Sequence, residues 1–252
     1  MKEPIISFVK SCEDEYKKFV AIENFPNYQV VSKEITIEKS QRQGFDSPAA
    51  AFYDIPTGAH TMEIWSMLFL PNMNAKYLVF HEFTHIWDAE KYSRKDKVKH
   101  MSNKGFTEYH AAQIDFLKLL GAKGISQHFS FSMDQSFETI GGRKSANEFV
   151  EMPRSLAIKL ISRQDFPADL ETLATTIGAI FNYYGRRSIC KMYATDYMQE
   201  TENYVIESFI GTNVVKVLDA FMFGWFDDNK VAILDAFYQK MIFTLARRYK
   251  LA

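Results

Sequence analysis

The sequence lacks most features that mark secreted or membrane-embedded proteins. Its 252 residues contain only two cysteines, Cys12 and Cys190, which are far apart and form no CxxC pair. A disulfide framework is therefore not expected, and a reducing compartment fits better. No stretch reaches the roughly 18 apolar residues of a membrane-spanning helix, and the apolar run near the start is too short for a signal peptide. We expect a soluble, cytoplasmic protein with no membrane partner.

An excess of charge of one sign is also missing. The chain has 30 Lys and Arg against 31 Asp and Glu, which gives a formal net charge of -1. Nucleic-acid-binding domains are usually basic, so we expect no nucleic-acid partner. The one basic run, residues 91–100 (KYSRKDKVKH), is short and contains Asp96, and it predicts a solvated loop.

Apolar and aromatic side chains are abundant. Hydrophobic residues make up 47% of the chain, with 22 Phe and 13 Tyr, which is enough for a substantial core. The periodicity predicts an amphipathic helix over residues 4–22 and strands over 28–38, 49–54 and 60–70. The turn sequence IPTGA joins the last two strands, so we expect a small, mainly antiparallel sheet.

Helical periodicity dominates the remainder of the chain. A buried helix is predicted over AKYLVFHEFTHIWDAE, with Asn74 as its N-cap, and a second helix runs from Thr107 to Gly121. Strand signals are weak beyond about residue 126, and Pro153 should start or kink the next helix. The helical windows there are 145–163, 168–184, 186–199, 212–223 and 228–249. The predicted class is α+β with an all-helical C-terminal half.

The residues that carry chemistry are the run His81-Glu82-Phe83-Thr84-His85. Residues i and i+4 of a helix share one face, so the two imidazoles can bind one zinc ion (Zn2+). Glu82 lies beside the first histidine and can take a proton from a water on the metal. A purely structural role is less favoured, because burying these groups without a metal would require several polar partners.

A catalytic zinc site needs a third protein ligand, and Glu108 in the first turn of the next helix is the best candidate. The alternative is that Glu108 only stabilises the positive end of the helix dipole. His110 and Asp115 are the other candidate ligands. Asp115 lies two turns deeper, so it is better placed to hydrogen bond to a metal-bound histidine. Asp88 is a second candidate for that supporting role, or else a surface residue.

The run HEFTH, with a glutamate on the next helix, resembles the gluzincin branch of the zincin metallopeptidases. The pattern Glu108-x-x-Ala111 is similar to the compact ImmA/IrrE-like peptidases, and the resemblance covers about residues 60–120. It implies a peptide or protein substrate, a catalytic base and three zinc ligands, namely Glu82 as the base with His81, His85 and Glu108 as the ligands. One departure is Ala112, which stands where these families often have Asp or Asn.

The change from mixed to all-helical periodicity predicts a two-part architecture. Residues 1–125 would form the catalytic subdomain, and residues 126–252 a helical subdomain that forms the other wall of the cleft. Gluzincins place a His or Tyr opposite the zinc to stabilise the oxyanion. The candidates for that position are Tyr109, His110, His128 and Tyr193. The alternative function is a metal-binding regulatory or protein-interaction module with little or no turnover.

Substrate binding by a peptidase of this type requires an extended peptide to be held beside the metal. Pairing of its backbone with an exposed sheet edge is the simplest way to achieve this. We expect the strand at 60–70 to be that edge, because it leads into the metal-binding helix. The alternative is that this apolar strand is interior, in which case the edge is the strand at 49–54.

Overall fold

The structure is a computed structural model that describes residues 2–34, 48–69, 74–198, 203–222 and 224–251. It confirms the predicted α+β class. The helices are α1 (Lys2–Val20), α2 (Lys76–Asp88), α3 (Lys97–Ser102), α4 (Lys104–Leu119), α5 (Ala146–Ile161), α6 (Leu170–Tyr193), α7 (Tyr204–Ile210), α8 (Thr212–Ala220) and α9 (Asp228–Arg248). The strands are β1 (Tyr28–Lys33), β2 (Ala49–Asp54), β3 (Ala59–Trp65), β4 (Ser136–Thr139) and β5 (Gly142–Ser145).

The three-stranded sheet has the order β1-β3-β2, so β3 is its central strand. It pairs in parallel with β1 and antiparallel with β2, which makes the sheet mixed. The expectation that this strand forms the exposed edge is therefore wrong. Its buried positions His60, Met62 and Ile64 alternate along one face, and Trp65 is also buried. Within the described part of the chain, β2 has a single strand partner, in agreement with the alternative.

Helix α2 packs against α1, β2 and α4. Its apolar residues point in nearly every direction, and Tyr77, Phe80 and Phe83 are all buried. Asn74 is not its N-cap. Ala75 holds that position without a side-chain hydrogen bond, and Asn74 Nδ2 instead donates to the carbonyl of Glu138 at 3.1 Å. The helix is therefore held by burial of its side chains rather than by a cap.

The C-terminal half is helical apart from one short antiparallel hairpin formed by β4 and β5. The sequence gives little strand signal there, because the turn and β5 are polar and glycine-rich. The windows at 168–184 and 186–199 form one helix, α6, rather than two. Gly185 does not break it, since the absence of a side chain lets α6 approach the backbone of Tyr109 on α4. Helix α5 continues through Pro153.

Helix α4 lies at the centre of the helical packing. It contacts α2 on one side and α6 and α9 on others, and α6 also packs against α5. One cluster of buried apolar residues extends from Ile5 on α1 to Leu245 on α9. Among the described residues, no helix is long and apolar enough to cross a membrane. The division of the chain near residue 125 stays a prediction.

Candidate metal centre

Three predicted ligands meet where α2 crosses α4. One ligand atom each from His81, His85 and Glu108 lies within 4.8 Å of the others. The Nε2 atoms of His81 and His85 are 3.8 and 3.9 Å from Glu108 Oε2. Ligands about 2.1 Å from a tetrahedral ion stand about 3.4 Å apart, so the three atoms must move closer together when an ion binds. These residues, here called the metal group, could hold a metal ion.

Local sequence explains how the metal group is built. The i, i+4 spacing on α2 stacks the two imidazoles, whose ring centroids are 4.8 Å apart. Ala111 and Ala112 on α4 are fully buried, and these small side chains allow α4 to lie close to its neighbours. Gly178 on α6 lies beside Glu108, since a Cβ placed there would be 3.6 Å from the carboxylate. Three helices therefore fix the position of Glu108.

The charges in the metal group suit cation binding. Burial would raise the pKa of Glu108, but the charges of His85 and His81 outweigh it and lower that pKa to about 2. Burial lowers the pKa of His85 to about 4, so this imidazole is neutral at pH 7. Metal ligands must be deprotonated, and these two residues already are. Burial lowers the pKa of His81, but the carboxylates of Asp115 and Glu108 raise it to about 10, so this ring must release a proton when a metal binds.

His81 and His85 have different second partners. His81 Nδ1 lies 3.0 Å from Asp115 Oδ2, and Arg186 donates to that same oxygen at 3.3 Å. His85 Nδ1 lies 2.8 Å from the hydroxyl of Thr107. Each bond turns the other ring nitrogen, Nε2, toward Glu108. Asp115 thus occupies the supporting position that the sequence predicted as a candidate.

Arg186 is a residue that sequence reasoning missed. Its guanidinium lies 3.7 Å from the centroid of the Phe149 ring and donates to the carbonyl of Phe149 at 2.9 Å. These contacts hold the cation against Asp115, whose side chain is only 2% exposed. No local motif marks Arg186, because it reaches Asp115 only through the packing of α6 on α4.

Glu82 lies in the same region but is held by the sheet. Its Oε2 accepts a hydrogen bond from the backbone N–H of Ala51 on β2 at 2.7 Å. Burial raises the pKa of Glu82 to about 7, although the positive charge of His81 lowers it. A carboxyl group with such a pKa can both accept and release a proton near neutral pH.

Two cavities open onto the metal group, and both are lined by Ala51, His85, Lys104 and Glu108. The larger, here called the helical cavity, has a volume of about 510 Å³ and extends between β2 and helices α5, α6 and α9. Its further lining includes Ala49, Leu156, Gly178, Asn182 and Tyr238. The smaller, here called the histidine cavity, has a volume of about 260 Å³. Its further lining includes Tyr53, His60, Ser93, His100 and Asn103.

Three other predicted site residues are placed elsewhere. The Asp88 carboxylate lies 3.0 and 3.1 Å from His110 Nδ1, so these residues bond to each other rather than to a metal ligand. The Tyr109 ring packs edge-on against Phe226, with centroids 4.9 Å apart. Neither Tyr109 nor His110 lines either cavity, so this placement does not support an oxyanion role. The same holds for His128 and Tyr193.

Tyr238 on α9, unlike those candidates, reaches the helical cavity. It is 6% exposed, lines the helical cavity, and has no hydrogen bond to another described residue. Burial and then the charge of Glu108 raise the pKa of its hydroxyl, so it is a proton-bearing donor. Sequence reasoning missed it because its helix begins more than a hundred residues after Glu108 and carries no motif.

No protein-family model, curated protein or solved structure matches this chain. The function therefore has to be inferred from the chemistry of the site. Its main features are a metal group with two histidines and a carboxylate, a separate buried carboxyl group at Glu82, and two adjoining cavities.

Proposed function

We propose that this chain is a zinc-dependent peptidase of the gluzincin type, with Glu82 as its general base. The observation that carries the proposal is the position of Glu82, which lines the helical cavity with the metal group while its carboxylate bonds to β2. Two imidazoles and one carboxylate leave the fourth position of a tetrahedral ion open. When bound there, zinc would lower the pKa of a water molecule and polarise the scissile carbonyl.

Glu82 has the properties that the proton transfers require. The Ala51 N–H holds Oε2, which leaves Oε1 for the attacking water. Glu82 takes a proton from that water and later gives it to the leaving amine. Because burial raises its pKa to about 7, the carboxyl group can serve in both steps at neutral pH.

The β2 edge supports a peptide substrate rather than a small molecule. The carbonyl oxygen of Pro48 accepts a hydrogen bond from the backbone N–H of Trp65 on β3. The backbone N–H of Ala51 points away from β3 and donates to Glu82. Backbone groups alternate along a strand, so those of Ala49 and Tyr53 also point away from β3. An extended peptide could pair with this edge and place its carbonyl beside the metal group.

Tyr238 would stabilise the carbonyl oxygen as negative charge develops on it, since its hydroxyl is a donor in the helical cavity. The Tyr238→Phe substitution removes only this hydroxyl. We expect kcat to fall about 100- to 1,000-fold with KM and metal content nearly unchanged. Steady-state kinetics on a fluorogenic peptide would measure this. A larger effect on KM than on kcat would assign Tyr238 to substrate binding instead.

The decisive experiment compares metal content and peptide hydrolysis in wild-type protein and Glu82→Gln. We expect about one zinc per chain in both, and at least a 100-fold loss of activity in the variant. Glu171→Gln, at an exposed position on α6, is the matched control and should keep full activity. Loss of metal from Glu82→Gln, or activity that survives it, would refute the assignment. Full zinc occupancy without cleavage of any library peptide would favour the regulatory alternative.

A further inference from the structure

The histidine cavity is walled by the basic segment, defined here as residues 91–104. The sequence predicted a solvated loop over most of this segment, but it is folded. It contains the end of a π-helical turn (Ala89–Ser93) and the whole of α3, and Asp96 caps α3 through the N–H groups of Val98 and Lys99. Residues from the segment line the cavity, namely Ser93, His100, Asn103 and Lys104.

Lys104 supplies an exposed positive charge at the junction of the two cavities, close enough to Glu108 to interact with it electrostatically. It lines both cavities, and no described carboxylate forms an ion pair with it within 4.0 Å. The two acids that line the histidine cavity are already engaged. Glu108 belongs to the metal group, and Asp88 bonds to His110. The cavity therefore has a cation that can attract an anionic ligand.

His60 supplies a buried nitrogen that has no hydrogen-bond partner. The residue is 3% exposed, and its Nε2 makes no hydrogen bond to a described residue. Glu90 Oε2 lies 3.6 Å from this nitrogen, which is within ion-pair distance but beyond hydrogen-bond distance. The ring of Tyr53 stacks on His60 at 4.7 Å and fixes its plane. This nitrogen is closed to solvent, so a ligand oxygen can reach it only when the Glu90 side chain moves aside, and the hydrogen bond gained would then satisfy a buried polar atom that has none.

The rest of the basic segment adds to the positive potential. Its cations outnumber its single acid, Asp96, and they are Lys91, Arg94, Lys95, Lys97, Lys99 and Lys104. Lys91 forms an ion pair with Asp228 on α9. Lys95 extends over Gly58 in the turn between β2 and β3, which places it at the rim near Tyr53. Such a concentration of one charge attracts ligands of the opposite sign.

We propose that the histidine cavity binds an acidic side chain of the substrate, a Glu or Asp near the scissile bond, through Lys104 and His60. This inference rests on the proposed peptidase function and names the substrate class. A carboxylate satisfies both groups at once, since it neutralises the lysine and accepts from the imidazole. The shared wall of Ala51, His85 and Glu108 places that side chain next to the reacting centre.

The test uses full-length zinc-loaded Glu82→Gln protein and a labelled positional library of hexapeptides with Glu, Gln or Lys at each position. Fluorescence anisotropy should show that Glu is preferred over Gln by about tenfold at one position, as expected for one charge pair. Lys104→Glu should abolish this preference and favour Lys instead. The matched control is Lys99→Glu, which makes the same charge change on α3 outside the cavity and should keep the preference for Glu.

Several outcomes would overturn the inference. Equal binding of Glu and Gln peptides at every position would overturn it. An equal loss of the preference for Glu in Lys104→Glu and Lys99→Glu would also overturn it. A single-stranded oligonucleotide could also displace the labelled peptide. If both variants weaken that displacement equally, the basic segment binds nucleic acid instead. Wild-type hydrolysis of the same library separates the two proposals. Cleavage without acidic preference refutes only this one. Lys104-dependent binding without cleavage of any peptide refutes the peptidase and leaves the histidine cavity as a binding site for an acidic side chain.

Discussion

The surroundings of His81 and His85 differ although both residues lie on one helix, four positions apart. His81 faces the interior, where Asp115 accepts its Nδ1 proton and Arg186 holds the carboxylate. His85 faces the neutral hydroxyl of Thr107. Burial lowers the pKa of both rings, but at His81 the carboxylates of Asp115 and Glu108 outweigh it and raise the pKa to about 10. Burial prevails at His85, where the pKa falls to about 4.

The difference shows that spacing and environment make separate contributions. The helical repeat brings both rings to the metal group, but the residue behind each ring decides its charge. The inner side, at His81, is held by the buried ion pair of Asp115 and Arg186. The outer side, at His85, is held by a single neutral hydrogen bond to Thr107. Substitutions on the two sides should therefore have unequal effects.

Removal of either imidazole should have the largest effect on zinc content, because it takes away a metal ligand. The two sides should therefore behave alike in this test. His81→Ala and His85→Ala should each lower zinc from about one per chain to near zero, since two remaining ligands hold zinc weakly. Elemental analysis after dialysis measures this. The exposed His128 provides the control, and His128→Ala should keep its zinc. If either ligand variant retained its zinc, the assignment of that histidine as a ligand would be wrong.

Arg186→Met should have the next largest effect, and its effect should be on folding. The substitution removes one of the two cationic partners of Asp115, since His81 still lies 3.0 Å from it, and loss of this charged hydrogen bond costs about 1.5–3 kcal/mol of unfolding free energy. Urea unfolding of metal-free protein measures the change. Arg163→Met is the matched control, since Arg163 pairs with Asp165 at the surface and its loss should change stability little. Equal stability of wild type and Arg186→Met would mean that Asp115 is stabilised by other groups.

Asp115→Asn should weaken metal binding while it keeps the size of the side chain. Loss of the charge behind a metal-bound histidine typically costs about 10- to 100-fold in affinity. Competition with a chromogenic chelator measures the zinc dissociation constant. An unchanged constant would show that the inner carboxylate does not support the ligand.

Thr107→Val should have the smallest effect, because it removes one neutral hydrogen bond from the outer side. Such a bond contributes about 0.5–1.5 kcal/mol, or about 2- to 10-fold in affinity. The same chelator assay applies. If Thr107→Val weakens zinc binding as much as Asp115→Asn, the two sides are equivalent and the comparison fails.

The sequence predicts those parts of the site that depend on local periodicity. The positions of His81, Glu82 and His85 follow from one helical turn, and Glu108 and Asp115 follow from the face of the next helix. The structure brings the three candidate ligands together and places Asp115 behind His81. That these residues bind zinc and hydrolyse peptides stays a prediction.

The sequence does not predict what tertiary packing brings to the site. Arg186 and Tyr238 arrive from α6 and α9, and nothing in their local sequence indicates where those helices dock. The choice of sheet edge also failed, because an apolar strand fits an edge or an interior position until its neighbours are known. His110 looked like a catalytic candidate, yet its position on α4 pairs it with Asp88.

Two glycines keep α4 in direct backbone contact with its neighbours. At Gly105, a Cβ would lie 2.6 Å from Phe181 Cε1 on α6, and at Gly185 it would meet the carbonyl of Tyr109. These contacts leave no room for a side chain at positions 105 and 185, whereas the basic segment on the cavity wall is largely exposed. Under the proposed function, substitutions in that wall would change substrate preference without disturbing the three candidate ligands. The glycines have no such freedom, and a family descended from this chain would diversify around a fixed metal centre.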